Sequence, residues 1–186
     1  MIDYYMNIKD KKDILLPKLY EFFTITDNIN QMLPIIMGES KISIRVLDWF
    51  ITNYSKDKRI YYKLENKTFN VHMDYKSQLK GYKKKLFDPF CRKKRIPFYY
   101  STEKYVITTI GQLNFFRWAI SKKIINYVFE NFELIYIDMQ KKKLELIDSD
   151  NITNDSLLIN NESSDTNDSN NLIINKKEHI EINFDS

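Results

Sequence analysis

The sequence predicts an α+β fold: a single compact domain of helices alternating with two β-hairpins over residues 1–147, followed by a disordered acidic tail over 148–186. Three observations carry this. Apolar residues recur at helical spacing in several stretches, two pairs of short aromatic and β-branched runs are joined by polar turns, and past residue 148 periodicity gives way to Asp, Ser and Asn. Hydrophobic residues are 43% of the chain, so there is material for one buried core.

Residues 10–24 and 28–37 read as short helices interrupted by Pro17 and Pro34. Residues 41–54 form a stronger one, since Ile42, Val46, Phe50 and Tyr54 recur every fourth residue and Leu47 and Ile51 widen the stripe. Two extended runs follow, Ile60–Leu64 and Thr68–Met73, linked as a hairpin by Glu65-Asn66-Lys67. Residues 10–73 thus have the element order of a winged helix with the hairpin as its wing. The next helix, 74–87, sets Tyr75, Leu79, Tyr82 and Leu86 on one face and Lys76, Lys80, Lys83 and Lys84 on an adjacent one. Gly81 costs that helix about 1 kcal/mol relative to Ala, and Pro89 ends it at Asp88. A second hairpin pairs Ile96–Tyr100 with Tyr105–Thr108 across Ser101-Thr102-Glu103-Lys104. Thr109 and Gln112 then make a capping box that opens one helix over 110–130, with Leu113, Phe116, Ile120, Ile124 and Val128 as its stripe. Residues 133–146 read as strand or helix.

In the tail, seventeen of the twenty-four residues 148–171 are Asp, Ser or Asn, too polar to offset the entropy of ordering. Charge is graded along the chain. Residues 1–50 hold six Lys/Arg and seven Asp/Glu, residues 51–100 hold fourteen and four, and residues 148–186 hold two lysines and nine acids. Lys, Asn, Ile, Tyr and Phe are abundant and Ala119 is the only alanine, which points to an A/T-rich gene. Codon bias inflates the lysine count, so the placement of charge carries more weight than the total of +4.

Chemistry that needs a dedicated site is disfavoured. His72 is the sole histidine of the core and Cys91 the sole cysteine, too few for a zinc site of the usual kind, and they make a poor nucleophilic pair. Three glycines, at 38, 81 and 111, cannot build a phosphate loop. Asp57, Glu65 and Lys67 match the letters of a metal nuclease but put two of them at a turn, and Ser77-x-x-Lys80 lacks its partner motifs. The expectation is therefore a non-enzymatic protein without catalytic, metal or cofactor residues. The lone cysteine suggests a reducing compartment. The polar start MIDYYMNIKDKK argues against secretion, and no apolar run reaches the roughly 18 to 20 residues of a membrane span.

The informative feature is residues 76–95. Lys76, Lys80, Lys83, Lys84, Lys85, Arg92, Lys93, Lys94 and Arg95 lie there with only Asp88 as an acid between Lys80 and Arg95. The two basic clusters flank Leu86-Phe87-Asp88-Pro89-Phe90-Cys91, an apolar turn expected to pack inward and hold both on one side. Such a patch displaces counterions from a phosphate backbone. The aromatics Tyr82, Phe98, Tyr99 and Tyr100 lie close by, and on an exposed strand they stack unpaired bases. The bland readings are a solvated lysine face and aromatics in the core; Arg92-Lys93-Lys94-Arg95 also spells a nuclear import signal.

Three segments, RVLDWFITNYS at 45–55, YKSQLKGYKKKLFDPFCRKKRI at 75–96 and ITTIGQLNFFRWAI at 107–120, resemble a protein family of nucleocytoplasmic large DNA viruses, mimivirus-like members above all. The resemblance supplies no catalytic or binding residues. It implies a context: a viral factory in the host cytoplasm, or packaging in the virion. The expected function is nucleic-acid binding, to DNA or RNA, in viral transcription, replication or genome packaging, through the basic patch and Tyr82. The alternative is a protein-interaction module or virion component whose basic face meets an acidic partner, a viral protein included.

Overall fold

The computed structural model describes residues 11–159 except Arg92, with side chains as far as residue 147. The chain divides into two units, Met1–Glu145 and Leu146–Ser186. The first holds helices α1 (Lys11–Phe23) and α2 (Thr26–Met37), then a helical run made of α3 (Ile44–Trp49), a π-helical turn (Phe50–Tyr54) and α4 (Ser55–Asp57). Strands β1 (Tyr61–Leu64) and β2 (Lys67–Asn70), helix α5 (Val71–Tyr82), a 3₁₀ turn (Lys84–Leu86), β3 (Ile96–Tyr99) and β4 (Tyr105–Thr108) follow. Helices α6 (Ile110–Ser121) and α7 (Ile124–Glu130) come next, and α8 (Phe132–Ile159) begins in the first unit and ends in the second. This is the expected α+β domain, and residues 133–146 are helix.

Helix α6 is the axis of the core. Ten of its twelve residues are buried, among them Leu113, Phe115, Phe116 and Ala119, and the polar Gln112 and Asn114 are buried with side-chain hydrogen bonds. Thr109 caps it, its Oγ1 accepting from the Gln112 N–H at 3.1 Å. The Gln112 side chain does not return to the Thr109 N–H as a full capping box would; its Oε1 accepts from the Thr108 hydroxyl at 2.7 Å. Helices α1, α2 and α7 and the 3₁₀ turn all pack on α6.

Each hairpin is a separate two-stranded antiparallel sheet. In the first, Leu64 pairs with Lys67 across a two-residue link, Glu65-Asn66, and both link residues have positive φ (47° and 65°). That is the twist a tight hairpin needs, and asparagine tolerates it well. The second pairs Ile96 with Thr108 through Tyr99 with Tyr105.

Three boundaries differ from the sequence reading. Helix α5 begins at Val71, because Asn70 Oδ1 accepts from the Met73 N–H at 2.9 Å, so His72 and Met73 are helical rather than extended. It ends at Tyr82 rather than 87: Lys83 takes φ 65° and turns the chain so that Phe87 enters the core. The helix expected over 110–130 is broken at Lys123, φ 55°, and the freed Lys122 carbonyl accepts from the Tyr62 hydroxyl at 2.5 Å. The break lets Ile124, Ile125 and Val128 keep facing the core.

Within the first unit, the opening turns of α8 are held by buried Ile135, by the Trp49 indole donating to Asp138 at 3.1 Å, and by the Lys142–Asp57 ion pair. The helix runs on to Ile159. The rest of the expected tail, residues 160–186, lies outside the described residues. No described helix is long and apolar enough to cross a membrane.

Candidate functional site

The 83–91 turn is fixed by a dense set of contacts. Phe87 is fully buried, stacked under Tyr82 (centroids 5.9 Å, planes 11° apart) and edge-on to Trp118 at 5.5 Å. Asn114 of α6 donates to the Leu86 carbonyl at 2.9 Å, and Asp88 Oδ1 accepts from the Phe90 N–H at 2.8 Å. Gly111 lets the turn lie against the first coil of α6: a Cβ there would sit 3.1 Å from the Lys85 carbonyl oxygen and 3.2 Å from the Phe87 nitrogen. The turn packs inward through Phe87 and Pro89, whereas Phe90 faces out.

With the turn anchored this way, cations from three parts of the chain surround one cleft. It has a volume of about 420 Å³ and is lined by Lys12, Lys85, Lys93, Lys94 and Arg95. Leu86, Ile96 and Ile110 give it apolar walls, and Cys91 and Thr109 complete it. No Asp or Glu lies among these lining residues. Lysine and arginine side chains with this spacing complement a polyanion, and the apolar walls lower the local dielectric and strengthen the attraction.

The residues singled out in the sequence divide accordingly. Lys85, Lys93, Lys94 and Arg95 come together at the cleft, and Arg92 lies outside the described residues. Lys76, Lys80, Lys83 and Lys84 are exposed and do not line it. Lys83 and Lys84 lie beyond the end of α5 instead of on its face. Tyr82 borders a second cleft of about 360 Å³, with Lys11, Lys18 and Arg117 also on its walls, and its hydroxyl accepts from Arg117 at 3.1 Å. Of the aromatics, Phe98 is core while Tyr99 is half exposed. Sequence reasoning missed Lys12, which reaches the cleft only because α1 packs on α6. It also missed Tyr105, whose alternation with Val106 on β4 was the available signal.

Neighbouring carboxylates serve other ends. Asp74 accepts from the Trp118 indole at 2.5 Å. Burial, and then the charge of Asp88, push the Asp48 carboxyl up to about 6. Burial and the charges of Asp48 and Asp88 likewise push Tyr75 up to about 12. Among the described residues no group of three or more His, Cys, Asp or Glu is arranged to hold a metal ion. The Ser77 hydroxyl donates to the Met73 carbonyl of its own helix, and Asp57 pairs with Lys142.

Fold and cleft together define a helix-rich α+β domain with a cationic cleft beside its second hairpin. The chain belongs to a family of unknown function, DUF7197, which it matches over residues 4–185. It is 49% identical over 137 residues to the uncharacterized protein L507 of Acanthamoeba polyphaga mimivirus, covering 68% of this chain and 53% of that protein. The matched part is thus about half the length of that relative. The likeness to a giant-virus family drawn from the three sequence segments is borne out. No solved structure matches the chain.

Proposed function

We propose that this is a non-enzymatic nucleic-acid-binding protein of a large DNA virus, with the cationic cleft as its phosphate-contacting surface. The observation that supports the reading is the convergence of Lys12, Lys85, Lys93, Lys94 and Arg95 on one cleft, with no carboxylate among the described residues that line it. Lysines scattered by codon bias would be expected to meet acids as often as one another. The role would lie in transcription, replication or genome packaging, in the host cytoplasm or the virion.

A binding titration of the full chain across salt tests it. Neutralising about four phosphates on duplex DNA gives a slope of log affinity against log salt of about −3.6. The double reversal Lys93→Glu, Arg95→Glu is expected to weaken binding and flatten that slope by about 2. Binding that is absent, or indifferent to salt, overturns the proposal.

One observation favours a second reading, a protein-interaction module. Leu134, Ile137 and Leu144 of α8 are each more than half exposed, and contiguous exposed apolar surface marks interaction sites. Pull-down from infected cells with and without nuclease separates the two, since a protein partner survives nuclease treatment.

A further inference from the structure

We infer that the outer face of the β3–β4 hairpin stacks unpaired bases, so that the protein prefers single-stranded nucleic acid to duplex. The inference rests on the proposal that the adjoining cleft takes phosphates. Along β3 and β4 side chains alternate between faces. Phe98 and Thr108 turn inward, and outward stand Pro97 opposite Ile107 and Tyr99 opposite Tyr105. Tyr99 and Tyr105 are each 51% exposed and Ile107 50%, with the two rings 5.3 Å apart at their centroids. The face is apolar, aromatic and uncovered among the described residues.

Charge says what covers it. Arg95 lies two residues before Pro97 and four before Tyr99, in phase with the outward positions, about 13 Å from Tyr99 at a strand rise of ~3.3 Å per residue. Arg95 lines the 420 Å³ cleft and also a smaller one of about 210 Å³ shared with Ile107. It therefore joins the cationic surface to the aromatic one. Lys104 flanks Tyr105 at the far end of the hairpin, beside Glu103, the one acid of that turn. An apolar protein surface would match the rings but not the cations. A nucleic-acid strand matches both, its phosphates on Arg95 and the cleft, its bases on the tyrosines. In a duplex the bases are already stacked and offer no face to a tyrosine.

The test is fluorescence anisotropy on the full chain with labelled oligothymidine, oligouridine and a duplex of equal length. One or both single strands are expected to bind about tenfold more tightly than duplex. Tyr99→Ala and Tyr105→Ala should each weaken strand binding about tenfold and leave duplex binding within about twofold, while Tyr99→Phe and Tyr105→Phe keep the ring and the affinity. Equal affinity for strand and duplex, or alanine variants that bind the strand as the wild type does, overturns the stacking face. If Arg95→Glu weakens duplex binding in that case, the phosphate reading stands without it. If Arg95→Glu also changes nothing, both fall.

Discussion

Hairpin β1–β2 and hairpin β3–β4 each pair four residues with four in antiparallel register and each turn a ring inward, yet their outer faces differ. In the first, the cross-strand pair Tyr62 and Phe69 turns inward, rings 5.3 Å apart, and Tyr62 stacks on Tyr127, which stacks on Phe50. Its outer face carries Tyr61, Lys63, Thr68 and Asn70, the amphipathic arrangement a hairpin needs to sit on a core. The second also has an inward ring, Phe98, but its outer face repeats the aromatic pair as Tyr99 and Tyr105 and adds Pro97 and Ile107. Folding is served by one apolar face. A second, set beside a cationic cleft, is the feature on which the proposed strand binding rests.

The largest effects should come from the inward rings and treat the two hairpins alike. Phe98 is 1% exposed, stacked on Tyr20 at 4.6 Å and edge-on to Phe23 at 5.7 Å. Phe98→Ala is expected to cost about 3–5 kcal/mol, and Phe69→Ala at a similarly buried site should fall in or near that range. Tyr99→Ala, which removes only a surface cross-strand contact, should cost no more than about 1 kcal/mol. Urea denaturation midpoints measure all three. A Tyr99→Ala cost as large as that of Phe98→Ala would show that the outer face is structural after all.

A second, smaller effect should depend on pH. The turn that leads into β3 carries Asp88, whose charge adds to burial in raising the Asp48 carboxyl to about 6. Between about pH 4 and pH 6 the folded chain keeps a proton on Asp48 that the unfolded chain has released. Stability therefore falls as pH rises across that window and is flat above it. A rise from the usual carboxylate range to about 6 corresponds to at most about 3 kcal/mol. Asp48→Asn should remove that fall, stabilising the chain by up to about 3 kcal/mol at pH 7 and by little at pH 4. Denaturation of both proteins at the two pH values checks it; an equal offset at both would mean that ionisation is not the cause.

How far the sequence reached depends on whether a feature is local. Helix α6 was legible because Leu113, Phe116 and Ile120 recur at helical spacing and Thr109 offers a cap. Both hairpins were legible from alternation and polar turns. The break at Lys123 was not, because the group that satisfies the freed carbonyl, Tyr62, lies 60 residues away. The start of α5 was masked by the β-prone run before it, which hid Asn70 as a cap. The grouping of Lys85 with Lys93–Arg95 followed from an apolar turn folding inward. The place of Lys12 depends on α1 packing against α6, which periodicity does not encode.

The smallest expected difference is also the cleanest, since it makes one chemical change in each hairpin. The Tyr62 hydroxyl donates to the Lys122 carbonyl at 2.5 Å, and burial holds it well above the usual phenol range. Tyr62→Phe leaves that half-buried carbonyl, at the α6–α7 break, without this donor, which should cost about 1 kcal/mol. Tyr99→Phe removes a hydroxyl from a half-exposed ring and should change stability by no more than about 0.5 kcal/mol. Hydrogen exchange sharpens the contrast. Tyr62→Phe should speed exchange at the amides of Lys122 and Lys123, which close the end of α6 by bonding to the Trp118 and Ile120 carbonyls. Tyr99→Phe should leave exchange unchanged there. Equal stability losses in both variants would mean that the hydroxyl of the first hairpin has no special hold on the α6–α7 break. The contrast between a ring that ties the fold together and one left free for a ligand would then fail.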